Sequence, residues 1–488
     1  MSTALVWFRR DLRLADNPAL HVAAQRHARV LPVYVHAPGD EAGWAPGAAS
    51  DWWLHHSLLA LDGRLRRRGA GLLILRGDAL EQLRGLAAAV RAESVYWNRL
   101  YEPALAARDA RVAAALRADG LETGDFNAAL LVEPWELRTG SGAPYRVFTP
   151  FWRSAQAAPR REPLPSPRML KPPAAPAGLQ AQALGLLPRK PWDQGFYQAW
   201  QPGEEGAWAA LERFCAGAAA QYRERRDFPA EPATSRLSPH LHFGEIGPAQ
   251  VAARLRRLAA ESDAAGGAVE PYLRQLGWRE FAHHLLHHFP HTPEQPLDPR
   301  FAGLAWRAPP DYAADLRAWR RGRTGIPIID AGMRELWHSG WMHNRVRMLA
   351  ASFLTKNLLV PWQEGARWFW DTLVDADLAN NTLGWQWTAG CGADAAPYFR
   401  VFNPLLQAAR FDPAGAYLRR WLPELARLPD AALHAPWQAA PAVLAAAGVR
   451  LGQDYPLPVV DLAASRGRAL RSYAQLKGGG NAGISLLL

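Results

Sequence analysis

The sequence has little cysteine and no long apolar run. Its 488 residues include only Cys215 and Cys391, which cannot form a disulfide framework and favour a reducing compartment. No stretch of 18 apolar residues occurs, so we expect no membrane-spanning helix. Met1–Phe8 is followed at once by two arginines, which leaves no room for the apolar region of a signal peptide. We therefore expect a cytoplasmic protein that does not bind membranes.

Lysine is also scarce, so the positive charge comes almost entirely from arginine. Lysine and arginine together number 56 against 45 acidic residues, which gives a net charge of +11. A basic surplus favours a polyanionic partner such as nucleic acid, or an anionic cofactor. Abundant arginine beside much alanine, glycine and proline also fits the coding bias of a GC-rich genome, so composition leaves both interpretations open. The 22 tryptophans need packing or stacking partners.

The first 130 residues alternate short apolar runs with amphipathic stretches. The pattern predicts buried parallel strands at residues 5–8, 30–35, 72–75 and 95–97, with helices at 50–68, 78–91 and 102–119. This alternation predicts a Rossmann-like, doubly wound α/β domain. The first strand is followed by WFRRDLRL (7–14) and not by the glycine fingerprint of a dinucleotide site. The sequence therefore does not support NAD binding there, or a flavin oxidoreductase that uses NAD.

The rest of the chain changes character twice. Prolines accumulate between residues 131 and 200, which predicts a long connector that wraps a surface. Residues 201–476 carry helical patterns with almost no strand signal. We expect an α/β domain (1–130), an interdomain connector (131–200), an all-helical domain (201–476) and a flexible tail (477–488).

Two polar clusters in the helical part suggest binding chemistry. TSRLS (234–238) places hydroxyls and an arginine before a predicted helix, which suits phosphate but equally fits an ordinary Ser or Thr helix cap. DADLANN (375–381) places two carboxylates beside two amides, which suits a metal, a ribose, a flavin edge or an arginine. HHLLHH (283–288) has poor spacing for zinc and is expected on a helix surface. No metal site is predicted.

Taken in order, these and other motifs resemble the photolyase/cryptochrome family of blue-light flavoproteins. The resemblance is carried by WFRRDLRLADNPAL (7–20), RVFTPFW (146–152), RRDFP (225–229), TSRLS, LGWREF (276–281), WRRGRTGIPIIDAGMREL (319–336), WMHNRVRM (341–348) and DADLANNTLGWQW (375–387). It implies a helical domain that binds one FAD, with fully reduced FADH− as the working form. It also implies repair of UV-damaged DNA by light-driven electron transfer that splits cyclobutane pyrimidine dimers, a carbon–carbon lyase reaction without a protein acid, base or nucleophile.

The resemblance also assigns residues to roles. The FAD-binding set that it implies comprises Tyr222, Thr234, Ser235, Arg236, Leu237, Ser238, Tyr272, Gln275, Asn344, Arg347, Asp375, Ala376, Asp377 and Asn381. Within this set Arg347 is expected to pair with Asp375, and Asn381 to face flavin N5. The DNA and lesion set comprises Arg226, Gln275, Trp278, Asn344, Arg345, Met348, Trp387 and Gln407. Trp306, Trp362 and Trp385 correspond to an electron-transfer chain to oxidised flavin.

Two positions depart from the family pattern. Gln275 stands where members that repair cyclobutane dimers usually carry Glu, and resembles the branch that repairs (6-4) photoproducts. Asn344, however, stands where that branch has a catalytic His. Ala104 and Leu105 replace the Glu that grips a folate antenna in some members, and Glu102 lies close by. Methenyltetrahydrofolate is the default antenna, with 8-hydroxy-5-deazaflavin or an empty site as alternatives.

A signalling cryptochrome is the main alternative to a repair enzyme. Asn381, Asn344, the basic charge balance and the short segment after Lys477 favour repair. We expect a monomer without an obligate protein partner.

Overall fold

The computed structural model describes residues 2–261, 263–395 and 400–478. Within these ranges no helix is both long enough and apolar enough to cross a membrane. Most of the predicted tail, residues 479–488, lies outside the described residues.

A five-stranded parallel sheet organises the N-terminal part, as the alternating pattern predicts. Its strands are β1 (Thr3–Phe8), β2 (Arg29–His36), β3 (Leu73–Arg76), β4 (Ser94–Asn98) and β5 (Glu122–Phe126), in the spatial order β3-β2-β1-β4-β5. The first four coincide with the predicted strands. The fifth is missing from the prediction because ETGDF is polar and only partly buried, so it carries no apolar run.

Helices cover both faces of the sheet, which explains why the central strand β1 is buried along its whole length. Ala4, Val6 and Phe8 of β1 point into one buried cluster, whereas Leu5 and Trp7 point into another. Successive side chains of a strand alternate between its two faces, so β1 contributes residues to both clusters. The doubly wound α/β fold is confirmed.

The remainder of the chain is mainly helical. The first helices are α1 (Pro18–Arg26), α2 (Ala48–Arg66), α3 (Ala79–Val90), α4 (Pro103–Ala118), α5 (Phe148–Ala157), α6 (Gln194–Ala199), α7 (Glu204–Ala216), α8 (Tyr222–Arg225), α9 (Ser238–His242), α10 (Pro248–Glu261) and α11 (Asp263–His288). They are followed by α12 (Pro309–Arg320), α13 (Pro327–Ser339), α14 (Asn344–Ser352), α15 (Trp362–Thr372), α16 (Leu378–Ala389), α17 (Pro404–Phe411), α18 (Ala416–Trp421), α19 (Asp430–Leu433), α20 (Pro441–Ala447) and α21 (Leu462–Gly478).

Contacts divide the chain into two compact units. The first unit comprises residues 1–223, 234–290 and 374–379, and the second comprises residues 224–233, 291–373 and 380–488. The predicted connector belongs to the first unit and follows the sheet: the Val30 amide donates to Lys171 O at 3.0 Å, and the Leu179 amide donates to Ile74 O at 2.8 Å. The connector also contains α5, which the proline-rich pattern does not predict. The domain limits at residues 130 and 200 stay a prediction.

A buried carboxylate anchors the start of α13 in the second unit. Asp330 accepts hydrogen bonds from the Thr324 amide and hydroxyl at 2.6 and 2.7 Å, from the Gly325 amide at 2.9 Å and from the Tyr455 hydroxyl at 2.7 Å. Burial raises the pKa of Asp330 to about 6, although these donors oppose the rise. The loop that leads into α13 is therefore tied to residues more than a hundred positions later.

Candidate functional site

The predicted phosphate segment lies in the first unit, directly before α9. The Ser235 hydroxyl lies 2.7 Å from the Tyr272 hydroxyl and accepts from the Leu237 amide at 3.3 Å. The helix cap is Leu237, and no side chain caps α9. An ordinary Ser or Thr cap therefore does not account for the hydroxyls of this segment. Thr234 and Ser235 are half-buried, and Ser238 is exposed.

Two further residues of the predicted FAD set surround this segment. Tyr222 and Tyr272 are buried and pack with ring centroids 5.1 Å apart. Arg236 adopts a left-handed backbone conformation with φ of 54°, which is uncommon for a residue with a side chain. Its guanidinium lies 4.3 Å from the centre of the Trp200 ring. The segment thus has a fixed backbone path held by aromatic packing.

Asp377 is a buried carboxylate between two histidines of the first unit. Its Oδ2 lies 3.6 Å from Nδ1 of His242 and 3.5 Å from Nε2 of His283. Burial opposes ionisation, but His283 and His242 hold the pKa of Asp377 well below its ordinary value. Asp375 and Ala376 are buried beside it in the chain. Asp377 is therefore a preformed anion, as a hydrogen-bond acceptor for a ribose or flavin donor requires.

The histidines of HHLLHH are not all on a helix surface, and that expectation is wrong for two of them. His283 and His284 are buried, whereas His287 is exposed. His284 donates from Nδ1 to Pro134 O at 3.0 Å and accepts at Nε2 from the Tyr145 amide at 3.0 Å. The connector covers this face of α11. Helical spacing in the sequence does not reveal that a distant segment buries these histidines. Among the described residues no group of His, Cys, Asp and Glu has the arrangement of a metal site.

Trp278, which belongs to the DNA and lesion set implied by the resemblance, is half-buried on α11. Its ring stacks on Phe148 of α5 with centroids 3.8 Å apart and an interplanar angle of 5°. A β-carbon at the preceding Gly277 would collide with Trp152 of α5, so the two helices approach closely at this point. Gln275 is half-buried, and its amide nitrogen donates to Pro271 O of the same helix at 3.3 Å. Phe148 thus fixes one face of the indole.

In the second unit, α14 carries four predicted residues. Asn344 is exposed, and its amide nitrogen lies 3.9 Å from Sδ of Met348, so the two residues share a helix face. Arg345 forms an ion pair with Asp227 at 2.7 Å and lies over the Phe411 ring at 4.4 Å. Arg347 donates from Nε to Met342 O at 2.7 Å. Asp227 and Phe411 are therefore partners of a predicted DNA contact that the sequence did not reveal.

The start of α14 is held by a neutral histidine. Nδ1 of His343 accepts from the Arg345 amide at 3.2 Å and caps the helix. Burial lowers the pKa of His343 to about 4, which keeps Nδ1 available as an acceptor at neutral pH. Glu335 fixes the backbone of His343, because its Oε2 accepts from the His343 amide at 3.2 Å. The same oxygen accepts from the Tyr417 hydroxyl at 2.7 Å, which fixes the Glu335 side chain in turn. No spacing in the sequence identifies Glu335 or Tyr417.

Three other predicted residues of the second unit lie on α16 and α17. The amide nitrogen of Asn381 donates to Ala366 O at 3.0 Å, and this bond directs the side-chain oxygen away from Ala366. The half-buried Trp387 donates from its indole nitrogen to Asp394 O at 3.1 Å. Gln407 is half-buried on α17.

The three tryptophans predicted to carry electrons differ in burial. Trp385 and Trp362 are buried, and Trp306 is half-buried. Trp385 packs against Phe369 at 5.0 Å, and a β-carbon at Gly365 would collide with its ring. Trp362 lies three positions before Gly365, and therefore on the same side of α15.

Comparison with known proteins identifies the family. A family model described as DNA photolyase matches residues 4–169, and one described as the FAD binding domain of DNA photolyase matches residues 272–475. The chain is 47% identical over 476 residues to a deoxyribodipyrimidine photo-lyase of Agrobacterium fabrum, which covers 97% of this chain and 98% of that relative. The chain belongs to the DNA photolyase family.

Relatives of this chain are named for different functions: some are called photolyases and others cryptochromes. A solved structure described as a bacterial class III photolyase from Agrobacterium tumefaciens matches with a TM-score of 0.94 and 46% identity, and covers 98% of both chains. Cryptochrome-1 of Arabidopsis thaliana is 39% identical over 485 residues, which covers 97% of this chain and 70% of that relative. The chain therefore has an FAD-binding domain of this family, and the roles of single residues stay predictions.

Proposed function

We propose that the chain is a blue-light-driven photolyase that splits cyclobutane pyrimidine dimers in DNA. The observation that carries this proposal is the exposed face of α14, where Asn344 and Met348 lie together beside Arg345. An amide can pair with a base edge, a thioether packs on an apolar ring, and a guanidinium pairs with phosphate. The name of the Agrobacterium fabrum relative supports the same reaction.

Two features of the chain suit FAD. The Ser235 and Tyr272 hydroxyls form a pair that can donate to a diphosphate oxygen. The amide nitrogen of Asn381 is bonded to Ala366 O, so its side-chain oxygen would be the atom that accepts a hydrogen bond from N5 of a reduced flavin. Bound reduced FAD supplies the electron that opens the cyclobutane ring and recovers it at the end of the cycle. The protein provides positions and fixed charges, including the anionic Asp377.

We propose Trp385, Trp362 and Trp306 as the route by which electrons reach oxidised flavin. The first two are buried and the third is half-buried, as a chain from the interior to solvent requires. Replacing Trp385 by Phe should slow photoreduction of oxidised FAD and leave repair by enzyme reduced beforehand intact. Absorbance of the flavin under blue light measures the first, and dimer loss measures the second. Unchanged photoreduction in Trp385→Phe contradicts the assignment.

We propose a second, light-harvesting chromophore, with methenyltetrahydrofolate first and 8-hydroxy-5-deazaflavin second. Glu102 cannot serve as the carboxylate that grips a pterin in its present state, because it is buried and bonded to Arg10. Arg10 also pairs with Glu41 at 2.6 Å. A folate would therefore need other residues of the α/β part. Mass spectrometry of chromophores released from the purified protein distinguishes the two molecules.

A cryptochrome-type photoreceptor is the second candidate, since cryptochrome-1 of Arabidopsis thaliana matches most of the chain. Repair of (6-4) photoproducts is a third, because Gln275 resembles that branch. The test uses photoreduced protein with two oligonucleotides, one with a thymine cyclobutane dimer and one with a (6-4) photoproduct. We expect only the dimer to disappear, and only in light. Loss of the (6-4) lesion alone supports the third candidate, and loss of neither, with FAD bound, supports the second.

A further inference from the structure

Glu335 is a buried carboxylate on α13 that lies outside the predicted FAD and DNA sets. A single oxygen of this residue, Oε2, accepts from the His343 amide at 3.2 Å and from the Tyr417 hydroxyl at 2.7 Å. His343 leads into α14, and Tyr417 lies on α18, so one atom joins two helices that are far apart in the sequence. Because a buried donor without an acceptor is costly, both helices depend on this oxygen.

The first of these helices, α14, begins with a predicted lesion contact. His343 is the residue that caps α14, and Asn344 is the first residue of the helix proper. The backbone at the cap sets the direction in which the first side chains of a helix leave it. A β-carbon at Gly332 of α13 would collide with Val346 of α14, so the two helices already lie in close contact. The bond to the carboxylate therefore fixes where the Asn344 amide lies.

The second helix, α18, is joined to the helix that carries Gln407. Asp412 directly follows α17, and its two side-chain oxygens accept from the amides of Tyr417 and Leu418, both at 3.0 Å. Asp412 is buried, and so are the two residues that donate to it. The end of α17 is thus tied to the start of α18, and the position of Tyr417 sets the position of α17.

We propose that Glu335 is a positioning residue for recognition of damaged DNA, because its Oε2 fixes α14 and α17 relative to each other. The inference rests on the proposed function, in which Asn344 contacts the extruded dimer and Gln407 contacts the strand beside it. Such contacts require their groups to be held within about 0.5 Å. Only DNA with an extruded lesion must satisfy both contacts at once. Glu335 should therefore affect the preference for damaged over undamaged DNA.

The experiment measures binding in darkness to a short duplex with one thymine cyclobutane dimer and to the same duplex without damage. Glu335→Leu removes the acceptor and keeps a similar volume. We expect the ratio of the two affinities to fall about tenfold, which corresponds to about 1.4 kcal/mol. Glu335→Gln should recover most of the ratio, because its side-chain oxygen can accept from both donors. A smaller folded fraction would weaken both complexes equally and leave the ratio unchanged.

Two tyrosines of the second unit give a matched pair of variants. The hydroxyls of Tyr417 and Tyr455 each donate at 2.7 Å to a buried carboxylate of α13, Glu335 and Asp330 respectively, and both tyrosines are fully buried. The Tyr455 bond lies at the other end of α13 from the linker to α14. Tyr417→Phe should lower the affinity ratio about threefold. Tyr455→Phe should keep the wild-type ratio, although it loses the same kind of bond.

The outcomes separate this inference from the proposed function. Wild-type protein that neither prefers nor repairs the damaged duplex overturns both. An unchanged ratio in Glu335→Leu, or equal ratios in the two tyrosine variants, overturns the positioning role and leaves the proposed function standing. A ratio in Glu335→Gln as low as in Glu335→Leu also overturns it, because the glutamine retains the accepting oxygen. If Glu335→Leu does not fold, the pair of tyrosine variants decides.

Discussion

Two arginine-bearing segments, WFRRDLRL in the first unit and WMHNRVRM in the second, look alike in sequence and differ in the structure. Arg13 of the first is 1% exposed and donates to Asp16 O at 2.6 Å, to Gly244 O at 2.9 Å and to Ala128 O at 2.8 Å. Arg345 of the second is partly exposed, with a single carboxylate partner. The same residue type ties chain segments together in one place and is available to a ligand in the other.

The comparison shows why net charge is a poor guide to binding. Arg9 is also buried and Arg10 is half-buried, and both pair with carboxylates, so they add to the count of positive charges and contribute little charge to the surface. A buried arginine must satisfy its donors within the protein. The arginines relevant to DNA are among those with solvent access, and burial is the property that separates them from arginines such as Arg9 and Arg13.

Removing the hydrogen bonds of Arg13 in the first segment should have the largest effect, and that effect should be on stability. Arg13→Met should lower the free energy of unfolding by on the order of 3–5 kcal/mol, because it leaves three buried carbonyl groups without their donor. Arg26→Met is the matched control: Arg26 pairs with Glu122 on the surface, with 63% and 55% of the two side chains exposed, and should cost under about 1 kcal/mol. Denaturant unfolding measures both. Equal costs for the two variants would remove the distinction between the segments.

The burial of His284 should make the stability of the protein depend on pH. Burial lowers the pKa of His284 to about 4, so its contribution to stability is complete above pH 6.5 and is lost as the pH falls from 6.5 through 4. His284→Gln can still donate to Pro134 and accept from Tyr145 without titrating. As the pH falls over this range, we expect the free energy of unfolding to decrease less steeply for His284→Gln than for the wild type. The two slopes should differ by up to about 1.4 kcal/mol per pH unit. Identical slopes for variant and wild type contradict the expectation.

In the second segment, replacement of Arg345 should affect DNA more than folding. Arg345→Gln should reduce the salt dependence of DNA binding, with the log–log slope falling by about 0.9 for one lost phosphate contact. Titrations at several salt concentrations give the slope, and Arg26→Gln serves as the control on the surface of the first unit. An unchanged slope would place Arg345 with the structural arginines.

The smallest effect has the opposite sign. Asp227 pairs with Arg345 at 2.7 Å and competes with phosphate for it. Asp227→Asn should therefore strengthen DNA binding by about threefold, since a partly exposed ion pair is worth on the order of 1 kcal/mol. Weaker binding would mean that the ion pair positions Arg345 for its phosphate. The same titrations decide between these outcomes.

The sequence predicts features that depend on local pattern and misses those that depend on distant covering. Four strands follow from apolar runs, whereas β5 is polar and is placed by its pairing with β4. Asn344 and Met348 share a face because helix periodicity dictates it. The burial of His284 depends on a segment 139–150 residues away, as its hydrogen-bond partners show. The roles of single tryptophans among 22 come only from the family resemblance.

The stack of Trp278 on Phe148 means that the helical domain cannot be separated from α5 without a change in the surroundings of this indole. The backing ring and the close approach at Gly277 both come from α5, which ends more than forty residues before the predicted start of the helical domain. A gene fragment that began at residue 201 would encode every predicted FAD-binding residue and still lack the support of this indole. Chimaeras that exchange N-terminal parts between relatives should therefore be joined before residue 148, so that α5 and α11 are inherited together.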